Sequence, residues 1–162
     1  MWLLTGDGEM LKSEVGADDV LPRITDNPYE GRPYYDVDFL GGYGEQESET
    51  GVIPNYNIDY KPFNRDGVFY SNLYGDSMYP EFHSGAVLAM RPVEGWQDFL
   101  VLGKVYAIIT TGGQRTVKQL AKGTDDDSYT LVPINPKYEA QPIPKRAILA
   151  VYEVLGGINR YE

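Results

Sequence analysis

The sequence predicts a mostly β domain with an extended, acidic N-terminal linker, and three observations carry this. Apolar runs are short and are separated by Gly, Pro, Asn and Asp. The chain holds 14 tyrosines, a residue that fits the pleated, half-buried surface of a sheet. No apolar stripe with helical spacing continues long enough to form an amphipathic helix. At 162 residues the chain suits one domain and is long enough to bury a core.

Residues 1–33 read as linker. Trp2-Leu3-Leu4 is apolar and gives way abruptly to the turn-like Thr5-Gly6-Asp7-Gly8, which reads either as a hydrophobic arm docking on the body or as the tail of an upstream domain whose last helix has just ended. Residues 12–33 carry Asp18, Asp19 and Asp26 together with Pro22, Pro28 and Pro33. Proline removes amide donors and restricts the residue before it, which disfavours regular structure. Tyr34–Phe39 alternates well enough for a short strand. Leu40-Gly41-Gly42-Tyr43-Gly44 breaks it, and Glu45–Thr50 is a polar, acidic loop. Strands are expected at Val68–Tyr74, Ala86–Pro92, Lys104–Thr111, Gln114–Ala121, Tyr129–Pro133 and Ile148–Leu155. Gly112-Gly113 marks a tight hairpin, Gly123–Ser128 a second turn, and Tyr79–His83 a single helical turn.

Charge separates the two parts of the chain. The net charge is −10, and residues 1–60 hold 13 Asp and Glu against 3 Lys and Arg. Residues 61–162 hold 11 of each sign. Without clustered Lys and Arg to meet phosphates, this segment is not expected to bind nucleic acid unaided. No stretch approaches the roughly 20 apolar residues of a membrane span. The N-terminal residues show no basic-then-apolar signal pattern. Zero cysteines removes disulfides and thiolate metal sites and fits a cytoplasmic protein. No cofactor or metal is expected. Asp125-Asp126-Asp127 reads as a solvated turn and His83 as a surface or packing residue.

The chemistry concentrates at a serine and a lysine. Ser77 lies in Gly75-Asp76-Ser77-Met78-Tyr79-Pro80, and Lys118 in Thr116-Val117-Lys118-Gln119-Leu120. A serine hydroxyl needs a base to become a nucleophile, and His83 is the only histidine. A lysine is such a base when its amine is neutral, so a Ser-Lys dyad is the natural acyl-transfer arrangement left. Taken singly, each residue has an ordinary role: Asp76 or Ser77 as a cap, Lys118 as a solvated strand residue. On a strand, Thr116, Lys118 and Leu120 share one face.

Together these segments resemble the LexA-like family: LexA, phage repressors and UmuD-type proteins, related in mechanism to bacterial signal peptidases. The resemblance rests on Gly75–Pro80 followed by Ser84-Gly85-Ala86-Val87-Leu88-Ala89, on Val117-Lys118-Gln119-Leu120, and on Leu131-Val132-Pro133-Ile134-Asn135-Pro136-Lys137-Tyr138. It covers roughly residues 34–158. It implies a strongly bent β assembly over 34–162, with Ser77 as nucleophile and Lys118 as base. It also implies a scissile Gly41-Gly42 bond in a cleavage loop at 40–51. One departure stands out: family members often carry Asp-Gly-Asp where this chain has Ser84-Gly85-Ala86. The resemblance further implies a homodimer, a RecA-type activator in an SOS-like response, and operator DNA bound through a helix-turn-helix domain upstream of Met1. Two other readings stay open, a non-catalytic dimerisation or effector module and a UmuD-type polymerase accessory protein.

Overall fold

A computed structural model describes residues 2–3, 21–38 and 54–160. The chain forms a mostly β structure with no α-helix among the described residues. The strands are β1 (Trp2–Leu3), β2 (Arg23–Thr25), β3 (Arg32–Asp38), β4 (Tyr56–Asp59), β5 (Phe69–Asn72), β6 (Val87–Pro92), β7 (Val105–Thr110), β8 (Arg115–Lys122), β9 (Ser128–Val132), β10 (Gln141–Pro144) and β11 (Ile148–Arg160). They make one open mixed sheet in the order β10-β9-β8-β7-β11-β6-β5-β3-β4-β2, with β1 added to β11. All pairs are antiparallel except β3 with β5.

The central strands are buried on both faces, which explains their nearly continuous apolar runs. On β6, Leu88 and Met90 enter one cluster with Phe69, Met78, Phe82, Ala107, Ile109 and Val117. The intervening Val87 and Ala89 enter a second with Tyr34, Tyr60, Phe63, Tyr70 and Ile158. On β7, Ala107 and Ile109 join the first cluster, whereas Tyr106 and Ile108 join a third with Leu120, Ile143 and Val151. One side of the sheet therefore encloses a shared core, and the other splits into two cores at its two ends. Met78 is fully buried beside Ser77. Met78→Ala is expected to cost about 2–5 kcal/mol, the range for a large-to-small core change, as read by denaturant unfolding of the Ser77→Ala protein.

The expected strands occur, all but the last with ends shifted by one or two residues, and other features differ. Trp2–Leu3, in the stretch read as linker, pairs with Arg160 and Asn159 of β11. Arg23–Thr25, read as linker, adds to β4 at one sheet edge. The buried Asn57 fixes it there, its Nδ2 donating to the carbonyls of Asn27, Pro28 and Glu30, closest at 2.8 Å to Glu30. Strand β3 begins at Arg32, whose Nε donates to the Val68 carbonyl at 2.8 Å. Strands β4 and β10 were not expected; β10 carries Pro142 and Pro144 and forms the opposite edge, where missing amide donors are tolerated. Strand β11 runs past Leu155 through Gly156-Gly157 to Arg160, with a register shift between Val154 and Gly156. The Gly112-Gly113 hairpin joins β7 and β8, closed by Thr110 N–H donating to Gln114 O at 2.8 Å. Leu40, Gly41, Gly42 and the rest of the 40–51 loop lie outside the described residues, as does nearly all of 1–20.

Candidate active site

Ser77 sits in the connection from β5 to β6. Leu73 closes the base of this connection, its N–H donating to Ala86 O at 2.8 Å while its carbonyl accepts from Gly85 N–H at 2.8 Å. Gly75 then turns the chain at φ +98°, a region L side chains rarely adopt, and its N–H donates to Ser84 Oγ at 3.0 Å. Beyond Ser77, Tyr79 N–H donates to Asp76 O and Phe82 N–H to Met78 O, which makes a hydrogen-bonded turn in place of the helical turn expected at Tyr79–His83. Met78 and Phe82 plug that turn into the shared core. The Ser84-Gly85-Ala86 departure leaves no gap in this support. Ser84 staples the loop, and Ala86 is enclosed in the apolar cluster.

Lys118 rises from β8, a strand held between β7 and β9. The alternation of β8 buries Val117 and points Thr116 and Lys118 together toward Ser77. Lys118 Nζ lies 3.0 Å from Ser77 Oγ and 2.9 Å from Thr116 Oγ1. No carboxylate among the described residues forms an ion pair with it. Burial pulls its pKa below the usual lysine value of 10.5, because the ammonium loses water without gaining a countercharge.

A second segment braces the serine from outside its own loop. Asn135, between β9 and β10, donates its backbone N–H to Ser77 O at 2.9 Å and its Nδ2 to Asp76 O at 2.9 Å. Tyr138 Oη donates to Asp76 Oδ1. That bond, with Lys137 nearby, holds the Asp76 carboxyl below its ordinary pKa, and it raises that of the Tyr138 phenol. The Leu131–Tyr138 stretch was legible as a motif, but the work of Asn135 and Tyr138 was not. Thr116 was visible only as a face-mate of Lys118.

Lys118 and Thr116 border a groove of about 420 Å³ together with Gly112, Leu131 and Ile143, and Ser77 does not line it. A larger groove of about 770 Å³, bordered by Phe82, Val105, Ile134 and Gly157, contains neither Ser77 nor Lys118. The smaller one is the relevant space, because it reaches the amine. Of the other residues weighed, His83 is half-buried with its ring centroid 5.0 Å from that of Tyr79. Asp125 accepts from Asp127 N–H at 2.9 Å within its turn. Gly41 and Gly42 cannot be set against the dyad, since they lie outside the described residues.

No curated protein matches the chain. The sequence model of the family described as Peptidase S24-like matches residues 33–155, a span that runs from β3 into β11 and takes in both Ser77 and Lys118. The chain therefore belongs to the peptidase S24-like family, that of the C-terminal domains of LexA, UmuD and phage repressors.

Proposed function

We propose that this domain is the self-cleaving regulatory part of a LexA- or phage-type transcriptional repressor, with Ser77 as nucleophile and Lys118 as general base. The observation that carries the reading is the 3.0 Å approach of a half-buried lysine amine, free of carboxylate partners among the described residues, to a serine hydroxyl. In the neutral state the Nζ lone pair takes the Oγ proton as Oγ attacks the Gly41 carbonyl. Thr116 Oγ1 accepts one amine N–H and keeps the lone pair aimed at Ser77. The N–H groups of Ser77 and Met78 take part in none of the loop's backbone hydrogen bonds and suit an oxyanion. The carbon–nitrogen bond then breaks, and Lys118 returns its proton to the Gly42 amine. Water, deprotonated by Lys118, releases the acyl group and restores Ser77.

The topology supports attack within one chain. Strands β3 and β5 are parallel neighbours, with Asp38 beside Asn72. The chain therefore leaves β3 and β5 at the same end of the two strands, and Gly41 is three residues beyond the first in sequence as Ser77 is five beyond the second. Three extended residues reach about 10 Å. Small residues at the bond suit a recess deep enough to keep the amine dry.

In this reading a homodimer holds two upstream DNA readers at high effective concentration, and cutting the linker removes that gain without touching a DNA contact. A RecA-type activator acts by favouring the state with the loop docked. The deciding experiment is intact-mass analysis of the purified chain after incubation from pH 7 to 10.5. Products spanning residues 1–41 and 42–162 are expected, with first-order kinetics. A cut elsewhere refutes the bond assignment, and no cut at any pH favours the non-catalytic module. Thr116→Val is expected to slow cleavage about tenfold, the worth of one net hydrogen bond. An unchanged rate would remove Thr116 from the mechanism.

A further inference from the structure

We propose that Tyr138 and Asp76 form a clasp that fixes the Ser77 backbone for attack, making Tyr138 a positioning residue; this rests on reading Ser77 as the nucleophile. The Ser77 connection is braced from outside by the Asn135–Tyr138 turn, and three hydrogen bonds converge there on two consecutive residues. Asn135 takes the carbonyls of Asp76 and Ser77, and Tyr138 takes the Asp76 carboxylate. The bracing turn is itself closed by the same residues. Tyr138 N–H donates to Asn135 O at 3.1 Å, and Lys137 N–H to Asn135 Oδ1 at 3.1 Å. The tyrosine hydroxyl thus links the far end of the turn to the residue directly before the nucleophile.

The bond joins residues 62 positions apart, and a carboxylate acceptor makes it stronger than a neutral pair. Tyr138 is 42% exposed and belongs to none of the three apolar clusters, so packing does not account for it. Its ring lies 5.7 Å from Lys137 Nζ, at the solvent surface. What the hydroxyl does is orient. Displacing a reacting atom by about 1 Å costs on the order of 100-fold in rate, so a loop that wanders when the clasp opens loses rate without losing the fold.

The test uses the full chain. Tyr138→Phe removes one hydroxyl and is expected to slow self-cleavage about tenfold. The midpoint of the pH–rate profile should stay in place, since Lys118 is untouched, and the melting temperature should hold. Asp76→Ala should slow cleavage equally, and the double variant no further than either single one, because both changes break the same bond. Asp76→Asn retains an acceptor oxygen and should restore most of the rate. Amide exchange at Tyr79 and Asn135, whose N–H groups donate to Asp76 O and Ser77 O, should quicken in Tyr138→Phe. Wild-type cleavage by Tyr138→Phe, or multiplying losses in the double variant, overturns the clasp. If the wild-type chain never cleaves, the nucleophile reading of Ser77 fails, and amide exchange alone decides the clasp. Unchanged protection of the Tyr79 and Asn135 amides in Tyr138→Phe then refutes it.

Discussion

Ser77→Ala is expected to leave the chain uncut at every pH, a loss on the order of 10⁴-fold or more, as when a serine hydrolase loses its nucleophile. Among the described residues the Ser77 hydroxyl hydrogen-bonds to the Lys118 amine, so its removal disturbs little else. The loop stays anchored by Ser84, Asn135 and buried Met78. The variant should therefore keep the wild-type circular dichroism and melting curve while mass spectrometry finds only the 162-residue chain. Cleavage at the wild-type rate would show that the hydroxyl 3.0 Å from Lys118 is not the attacking group.

Lys118→Met carries the second large effect, and it acts on rate and stability in opposite directions. Loss of a general base slows such a step by about 10²–10⁴-fold, and raising the pH should not restore it, because no amine remains to deprotonate. In the folded wild-type chain the Lys118 pKa is depressed below 10.5 by burial. Between the folded and unfolded values the unfolded chain binds more protons, so wild-type stability rises with pH across that window. Below the folded value the burial cost is constant and complete. Methionine carries no such cost. In a Ser77→Ala background, Lys118→Met is expected to raise the melting temperature by about 2–4 °C near pH 7, the effect of ~1 kcal/mol in a domain of this size. The gain is held to that scale because the amine is only partly withdrawn from water. The advantage should shrink as pH climbs toward 10.5. A melting temperature that falls at pH 7 would mean that the ammonium is well solvated or paired.

How far the sequence foretold this structure depends on the range of the forces involved. Ser77 and Lys118 stood out because each lies in a distinctive local run, and the hairpin at Gly112-Gly113 brings β8 back beside β7. The clasp could not be read, because Asp76 and Tyr138 meet only after the six strands β5, β6, β11, β7, β8 and β9 have been ordered side by side. Strand β10 was hidden by Pro142 and Pro144, which argue against strand unless the segment lies at an edge, and edges are a tertiary property. Strand β2 was hidden because its pairing depends on Asn57, a buried polar residue that is stable only through its bonds to the 27–30 turn. Gly156-Gly157 resembled the end of a strand. In the fold it lets β11 pass under two aromatic rings, since a Cβ on Gly156 would stand 2.5 Å from the Phe63 ring. Local chemistry marked Ser77 and Lys118, whereas the bracing of Ser77 came from contacts between distant parts of the chain.

The protonation of Lys118 is the point on which the dyad stands, and an NMR titration of its side-chain Nζ and Cε resonances in the Ser77→Ala protein measures it directly. A midpoint clearly below 10.5 is expected, coinciding with the midpoint of the wild-type pH–rate profile. A midpoint at or above 10.5 would contradict it, because an amine that holds its proton as firmly as a free lysine cannot serve Ser77 as a base.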